Sequence, residues 1–237
     1  METIKADILA FGAHADDIEI GMGGTAAKYT AAGKTVVFCD LTKAELSSNG
    51  TVASRAEEAK RAASLLGVQE RVTLDLPDRG LFLTEEAIRL AAEMIRRYRP
   101  KVIFAPYERD RHPDHGACSR IVQEAFFSAG IRKYKTNGEE EAHKASRLYF
   151  YMINGFHKPD FCVDTTECMD KKKQSLRAYQ SQFEMGEKSV ATPLTNGYIE
   201  AVEARDRMMG KEVGRTFAEG FLTAIPLLIE QDLIGES

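Results

Sequence analysis

An α/β fold, with a mostly parallel sheet covered by helices on both faces and a smaller C-terminal subregion, is predicted by three features of this sequence. Short apolar runs alternate with helix-like stretches from residue 4 to residue 127, the βαβα order that builds such sheets. Residues that end helices fall between the two kinds of segment. The chain has 237 residues and is 43% hydrophobic, enough to fill one large core, so one domain spanning 1–237 is expected.

The elements follow in order. Residues 4–11 read as a strand and 25–32 as a helix closed by Gly33; 36–41 form the next strand and 54–66 a helix closed by Gly67. Strand 72–76 leads to helix 84–98, with Thr84 as its cap, Glu85 and Glu86 suiting the dipole, and Pro100 forbidding continuation. Strand 102–105 precedes helix 114–127. Together these make the Rossmann-like pattern. Beyond Gly130 the rhythm loosens into a polar loop (133–146), strand-like runs (148–153 and 161–163), a helix (170–183), a loop holding Pro193, a helix (198–209) and a final segment (217–228).

Bulk charge narrows the functional classes. A net charge of −4, from 36 acidic and 32 basic residues spread along the chain, offers no footprint for nucleic acid. The longest basic run, Lys171-Lys172-Lys173, reads as a solvated helix face. No segment reaches the ~18 continuous apolar residues of a membrane helix, and no secretion signal is evident, so no membrane partner and a cytoplasmic location are expected. Cys39, Cys118, Cys162 and Cys168 lack C-x-x-C spacing and read as free thiols.

Two short motifs carry the chemistry. His14-Ala15-Asp16-Asp17-Ile18-Glu19 follows the first strand, and His112-Pro113-Asp114-His115 closely follows the fourth. In a parallel sheet, ligands gather outside the carboxyl ends of strands, so the motifs can face each other across one crevice. Catalytic zinc takes three His or carboxylate ligands and leaves a position for water, a set that His14, Asp17 and His115 supply. Asp16 points elsewhere from its neighbour and is left free as a general base. His112 is placed to donate to the developing oxyanion or to the leaving amine, with Asp114 orienting a protonated ring. Glu19 either supports the site from outside or begins the turn.

Each motif alone also reads as a helix start, since Asp caps helices and Pro suits the first turn. It is their pairing, each after a strand, that favours a metal centre. Fe²⁺, Mn²⁺ or Co²⁺ would accept the same ligands as Zn²⁺. Two other runs fail as phosphate sites. Gly33-Lys34-Thr35 has Lys28 where the phosphate loop needs glycine. Gly21-Met22-Gly23-Gly24 follows an acidic motif that would repel a pyrophosphate.

With these residues in view, the sequence resembles the PIG-L/LmbE-type metal-dependent N-acetylglucosamine deacetylases, marked by A-H-P-D-D-x-E after the first strand and H-P-D-H later. Ala15 stands in place of the usual Pro, which removes a restraint on the loop but no ligand. The resemblance extends to Gly21-Met22-Gly23-Gly24-Thr25, Ser54-Arg55-Ala56-Glu57-Glu58, Leu66-Gly67 and Ala218-Glu219-Gly220-Phe221. It implies His14, Asp17 and His115 as metal ligands, Asp16 as base and His112 as the donor. It further implies a C-terminal tyrosine near the carbonyl oxygen, for which Tyr198 is the candidate, and a homohexamer.

Residues 11–24 and the loop 109–116 look most like the deacetylases of bacillithiol biosynthesis, which act on N-acetylglucosaminyl malate, a small sugar amide. Malate carries two carboxylates, and arginine holds carboxylates through paired hydrogen bonds. Arg55, Arg109 and Arg111 lie near the motifs, Arg55 at a helix start that adds anion affinity unless it pairs with Glu57 or Glu58. Two rivals remain. One is a deacetylase of another small amide, such as a thiol conjugate or a diacetylated disaccharide; the other is a metal- or sugar-binding protein without catalysis, which would have no need of Asp16.

Overall fold

The computed structural model describes residues 4–187 and 189–228. The chain runs β1 (Ile8–Gly12), α1 (Asp17–Ala31), β2 (Val36–Thr42), α2 (Val52–Leu66), β3 (Glu70–Leu76), α3 (Glu85–Tyr98), β4 (Val102–Pro106) and α4 (Pro113–Ala129). It continues through β5 (Arg147–Tyr151), β6 (Phe161–Asp164), α5 (Met169–Arg177), α6 (Gln180–Phe183), α7 (Tyr198–Glu212) and β7 (Ala218–Thr223). The strands form one sheet in the order β3-β2-β1-β4-β5-β7-β6. The first five are parallel, while β7 pairs antiparallel with both β5 and β6. The smaller C-terminal subregion is therefore an antiparallel extension of the main sheet.

Alternation along β1 assigns the two faces. Leu9 and Phe11 pack under α3 and α4, whereas Ile8 and Ala10 face the layer that holds α1, α2, α5 and α7. Local signals set the ends. Thr51 caps α2 by accepting from the Ser54 amide, Thr84 caps α3 from the Ala87 amide, and Gly67 closes α2 at φ 74°. Among the described residues no helix is long and apolar enough to cross a membrane. All four cysteines are free.

Three expectations need correction. Helix α1 begins at Asp17, within the first motif, rather than at Thr25; it runs through the glycine-rich stretch with a break at Met22 (φ −148°, ψ 23°). The stretch 170–183 is two helices, α5 and α6, separated at Ala178 and Tyr179. Lys172 is not on a solvated face: it is 0% exposed and paired with Asp206 and Glu219.

The glycines of α1 are there for space. A Cβ on Gly21 would stand 2.0 Å from the ring of buried Tyr151, whose hydroxyl donates to the Phe11 carbonyl at 2.6 Å. Gly21→Ala is expected to cost about 1–3 kcal/mol through overpacking, read as a lower denaturation midpoint; an unchanged midpoint would show that Tyr151 yields freely.

Candidate active site

The strand order reverses direction between β1 and β4, and both motifs leave the carboxyl ends of those two strands. That is the topological switch point, where open α/β sheets bind ligands. One cleft there is lined by His14, Asp16, Asp17, Arg55, Arg111, His112, His115 and Tyr198, with Asp78, Arg79 and Asn154 among the further wall residues.

The first motif is held as a tight loop. Thr42 at the end of β2 donates its amide (3.1 Å) and hydroxyl (2.9 Å) to the Ala13 carbonyl. The Asp17 carboxylate accepts from the amides of Ala13 (2.9 Å) and His14 (2.8 Å). Asp16 takes φ 107°, a backbone region that costs a non-glycine residue of order 1–3 kcal/mol and that clusters at functional sites.

Two imidazoles flank the two oxygens of Asp17. His115 Nε2 lies 3.1 Å from Oδ1, and His14 Nδ1 lies 3.5 Å from Oδ2. Their far nitrogens face other carboxylates: His115 Nδ1 is 2.9 Å from Asp110, and His14 Nε2 is 3.2 Å from Asp78 and 3.5 Å from Asp114. Rings of metal-binding histidines are oriented by outer carboxylates in this manner. Nitrogens of His14, His112 and His115 all lie within 4.8 Å of one another, so His112 stands close enough to join them.

Electrostatics favour a cation. Burial would lower the His14 pKa, yet the carboxylates of Asp114, Asp17 and Asp78 raise it well above the usual imidazole value. Burial opposes His115 too, but Asp17 and Asp110 lift it to about 9. Against its own burial, Asp17 is held well below the usual carboxylate range by His115 and His14. Ring protons thus supply positive charge that a bound metal would replace. The donor set of nitrogen and carboxylate oxygen fits a divalent metal such as Zn²⁺.

Asp16 differs. Burial pushes its carboxyl up to about 7 against the opposing charge of Arg55. Arg55 is 3% exposed, and its guanidinium donates to the Ala15 carbonyl and lies 3.4 Å from Asp16. Arg55 does not pair with Glu58, which accepts from the Ser181 amide and hydroxyl; it grips the motif loop and lines the cleft.

Asp114 requires correction as well. Its carboxylate accepts from the Arg79 amide (2.7 Å) and guanidinium (2.8 Å) and faces His14; only its backbone amide reaches His112, donating to Nδ1 at 3.3 Å. The surroundings of His112 oppose the protonated ring expected of it. Burial and the neighbouring charges of His115 and His14 lower its pKa, and the accepting Nδ1 leaves the proton on Nε2. Arg109 is exposed and absent from the cleft walls, with its carbonyl accepting from His157 at 3.0 Å. Arg111 does line the cleft and makes no hydrogen bond or ion pair among the described residues. The Tyr198 hydroxyl lies 2.9 Å from the Asn154 side-chain oxygen and 3.1 Å from the Ile153 carbonyl, two acceptors for its one proton, and burial raises its pKa to about 12. Glu19 turns away from the cleft into a buried network with Arg71 and Tyr179.

Four residues of the site escape a reading of the sequence: Asp78, Arg79, Asp110 and Asn154. Asp78 and Arg79 follow β3 and Asn154 follows β5, the same carboxyl-end rule that singles out the motifs. Asp110 accepts from the Asn154 amide and side chain, both at 2.9 Å, and from the His112 amide at 2.8 Å.

A family model described as PIG-L, GlcNAc-PI de-N-acetylase, matches residues 9–126, which include both motifs. A diacetylchitobiose deacetylase of Thermococcus kodakarensis is 31% identical over 228 residues, covering 90% of this chain and 81% of that protein. A probable N-acetyl-α-D-glucosaminyl L-malate deacetylase of Bacillus anthracis is 24% identical, over 82% of this chain and 89% of its own. A crystal structure of a conserved protein from Thermus thermophilus superposes with a TM-score of 0.86 at 38% identity, covering 94% of this chain and 97% of the other. With the motifs, the switch-point cleft and these similarities in agreement, the chain belongs to the PIG-L family of metal-dependent deacetylases.

Proposed function

We propose that the protein hydrolyses the N-acetyl group of N-acetylglucosaminyl malate, releasing acetate and the free amine, with Zn²⁺ held by His14, Asp17 and His115. The observation that carries the reading is the division between the two aspartates: Asp17 lies between two imidazoles, while the carboxylate of neighbouring Asp16 pairs, among the described residues, with Arg55 alone. Bound there, the metal would supply a Lewis acid to polarise the amide carbonyl and acidify water. Asp16 takes the proton from the attacking water, whose oxygen bonds to the carbonyl carbon. His112 offers its Nε2–H as a hydrogen-bond donor to the oxyanion, and the proton that Asp16 took from water passes to the nitrogen as the C–N bond breaks. Arg55 fixes Asp16 by bonding to the Ala15 carbonyl and lying against the Asp16 carboxylate. The hexamer implied by the resemblance belongs to the same proposal.

The malate half of the reading is supported by two arginines on the cleft wall, Arg111 without a partner among the described residues and Arg79 half exposed. Acetate release should be measured on N-acetylglucosaminyl malate, diacetylchitobiose and free N-acetylglucosamine, before and after chelation and with Zn²⁺ restored. A chelator-sensitive rate that favours the malate conjugate is expected; preference for diacetylchitobiose would move the substrate to the disaccharide. Arg111→Ala should raise KM for the malate conjugate about tenfold, the scale of one charge-assisted hydrogen bond, and leave free N-acetylglucosamine unaffected. Equal losses on both would remove Arg111 from carboxylate recognition.

A further inference from the structure

Two sequence runs without a part in the chemistry, Gly21 to Thr25 and Ala218 to Phe221, meet in space. In an unbroken helix the Ile20 carbonyl and the Gly24 amide would bond to each other. Here Arg205 of α7 donates to the Ile20 carbonyl at 2.7 Å, and Glu219 of β7 accepts from the Gly24 amide at 2.8 Å and the Thr25 amide at 2.6 Å. Both broken ends are thus satisfied by side chains from distant parts of the sequence.

These side chains are tied together. Lys172 of α5 bonds to Glu219 and to Asp206, each at 2.6 Å, and Asp206 lies 3.3 Å from Arg205. Lys172, Asp206 and Glu219 are all buried. Arg205 also holds the carbonyls of Met152 (3.0 Å) and Ile153 (2.9 Å), just before the Asn154 that secures Asp110. The clamp therefore connects the turn bearing Asp16 and Asp17 to the support of His115.

We infer that Arg205 and Glu219 are positioning residues: they hold α1 open at Met22 so that its first turn aims Asp16 and Asp17 independently of the rest of the helix. The glycines fit this arrangement. A Cβ on Gly24 would approach Thr165 to 2.9 Å and the Glu219 carboxylate to 3.1 Å, and one on Gly23 would press on the Lys172 stem at 3.2 Å. The inference rests on the assignment of Asp16 and Asp17 to the metal centre.

The test is Glu219→Gln, which keeps the shape but replaces one acceptor with an amide that cannot receive a backbone N–H. Zn²⁺ affinity is expected to weaken about tenfold, the scale for outer support of a metal site. The visible spectrum of the Co²⁺-loaded protein should shift, and kcat should fall with KM little changed. A lower Tm with metal affinity, spectrum and kcat all within twofold of wild type would reduce the clamp to fold stability and overturn the inference. Should Glu219→Gln not fold, Arg205→Met and Arg205→Lys replace it: Met should lose affinity and rate and Lys recover part of both, whereas a Met variant equal to wild type overturns the inference. Amide exchange across residues 16–21 needs no metal; faster exchange in Glu219→Gln supports the clamp and unchanged exchange refutes it. A wild type that binds no metal would instead overturn the metal assignment, leaving exchange to decide the clamp.

Discussion

Asp16→Asn is expected to slow turnover by about 10²- to 10⁴-fold, the usual contribution of a positioned general base, while metal stays bound. Asn is the cleaner replacement because the residue sits at φ 107°, where Asn is tolerated better than Ala. It also keeps a polar partner for Arg55, so the loop that carries Asp17 should not move. The pH profile gives a second readout. A base works ionised, so the wild-type rate falls as pH drops through the Asp16 pKa; burial sets that near 7, and a cation on adjacent Asp17 lowers it. With metal kept saturating, the acid limb should vanish in the variant. Normal turnover with metal bound would remove Asp16 from the role.

The parallel sheet and the place of the site are legible in the sequence because both depend on local signals. Apolar runs mark β1 and β4, and histidines soon after them mark the switch point. What escapes are pairings between distant residues. Gly21 to Gly24 reads locally as a turn, and only the ring of Tyr151 and the carboxylate of Glu219 explain why a helix passes through it. Lys172 reads as one of three solvated lysines until Asp206 and Glu219 close around it. Arg55 reads as close to the motifs, yet its direction is set by the Ala15 carbonyl, a backbone group that residue type does not reveal. Asp114 misleads for the same reason, since Arg79 draws its carboxylate away from His112.

His115→Ala should abolish tight metal binding and bring activity down to that of the chelated wild type, with His14→Ala behaving alike. Each ring faces Asp17 with one nitrogen and an outer carboxylate with the other, so removal takes away a ligand and leaves buried acids uncompensated. The loss should exceed that of Asp110→Asn, which keeps every ligand and is expected to cost about 10–100-fold in metal affinity through the orientation of His115. That order separates ligand from support, and full metal occupancy in either histidine variant would contradict the assignment. Proton release supplies an independent check. Both rings are held protonated by surrounding carboxylates, His115 with a pKa of about 9, so metal entering at neutral pH must displace a proton from each. Affinity should therefore fall as pH is lowered, and titration calorimetry in buffers of different ionisation enthalpy should count about two protons in the wild type and fewer in each variant.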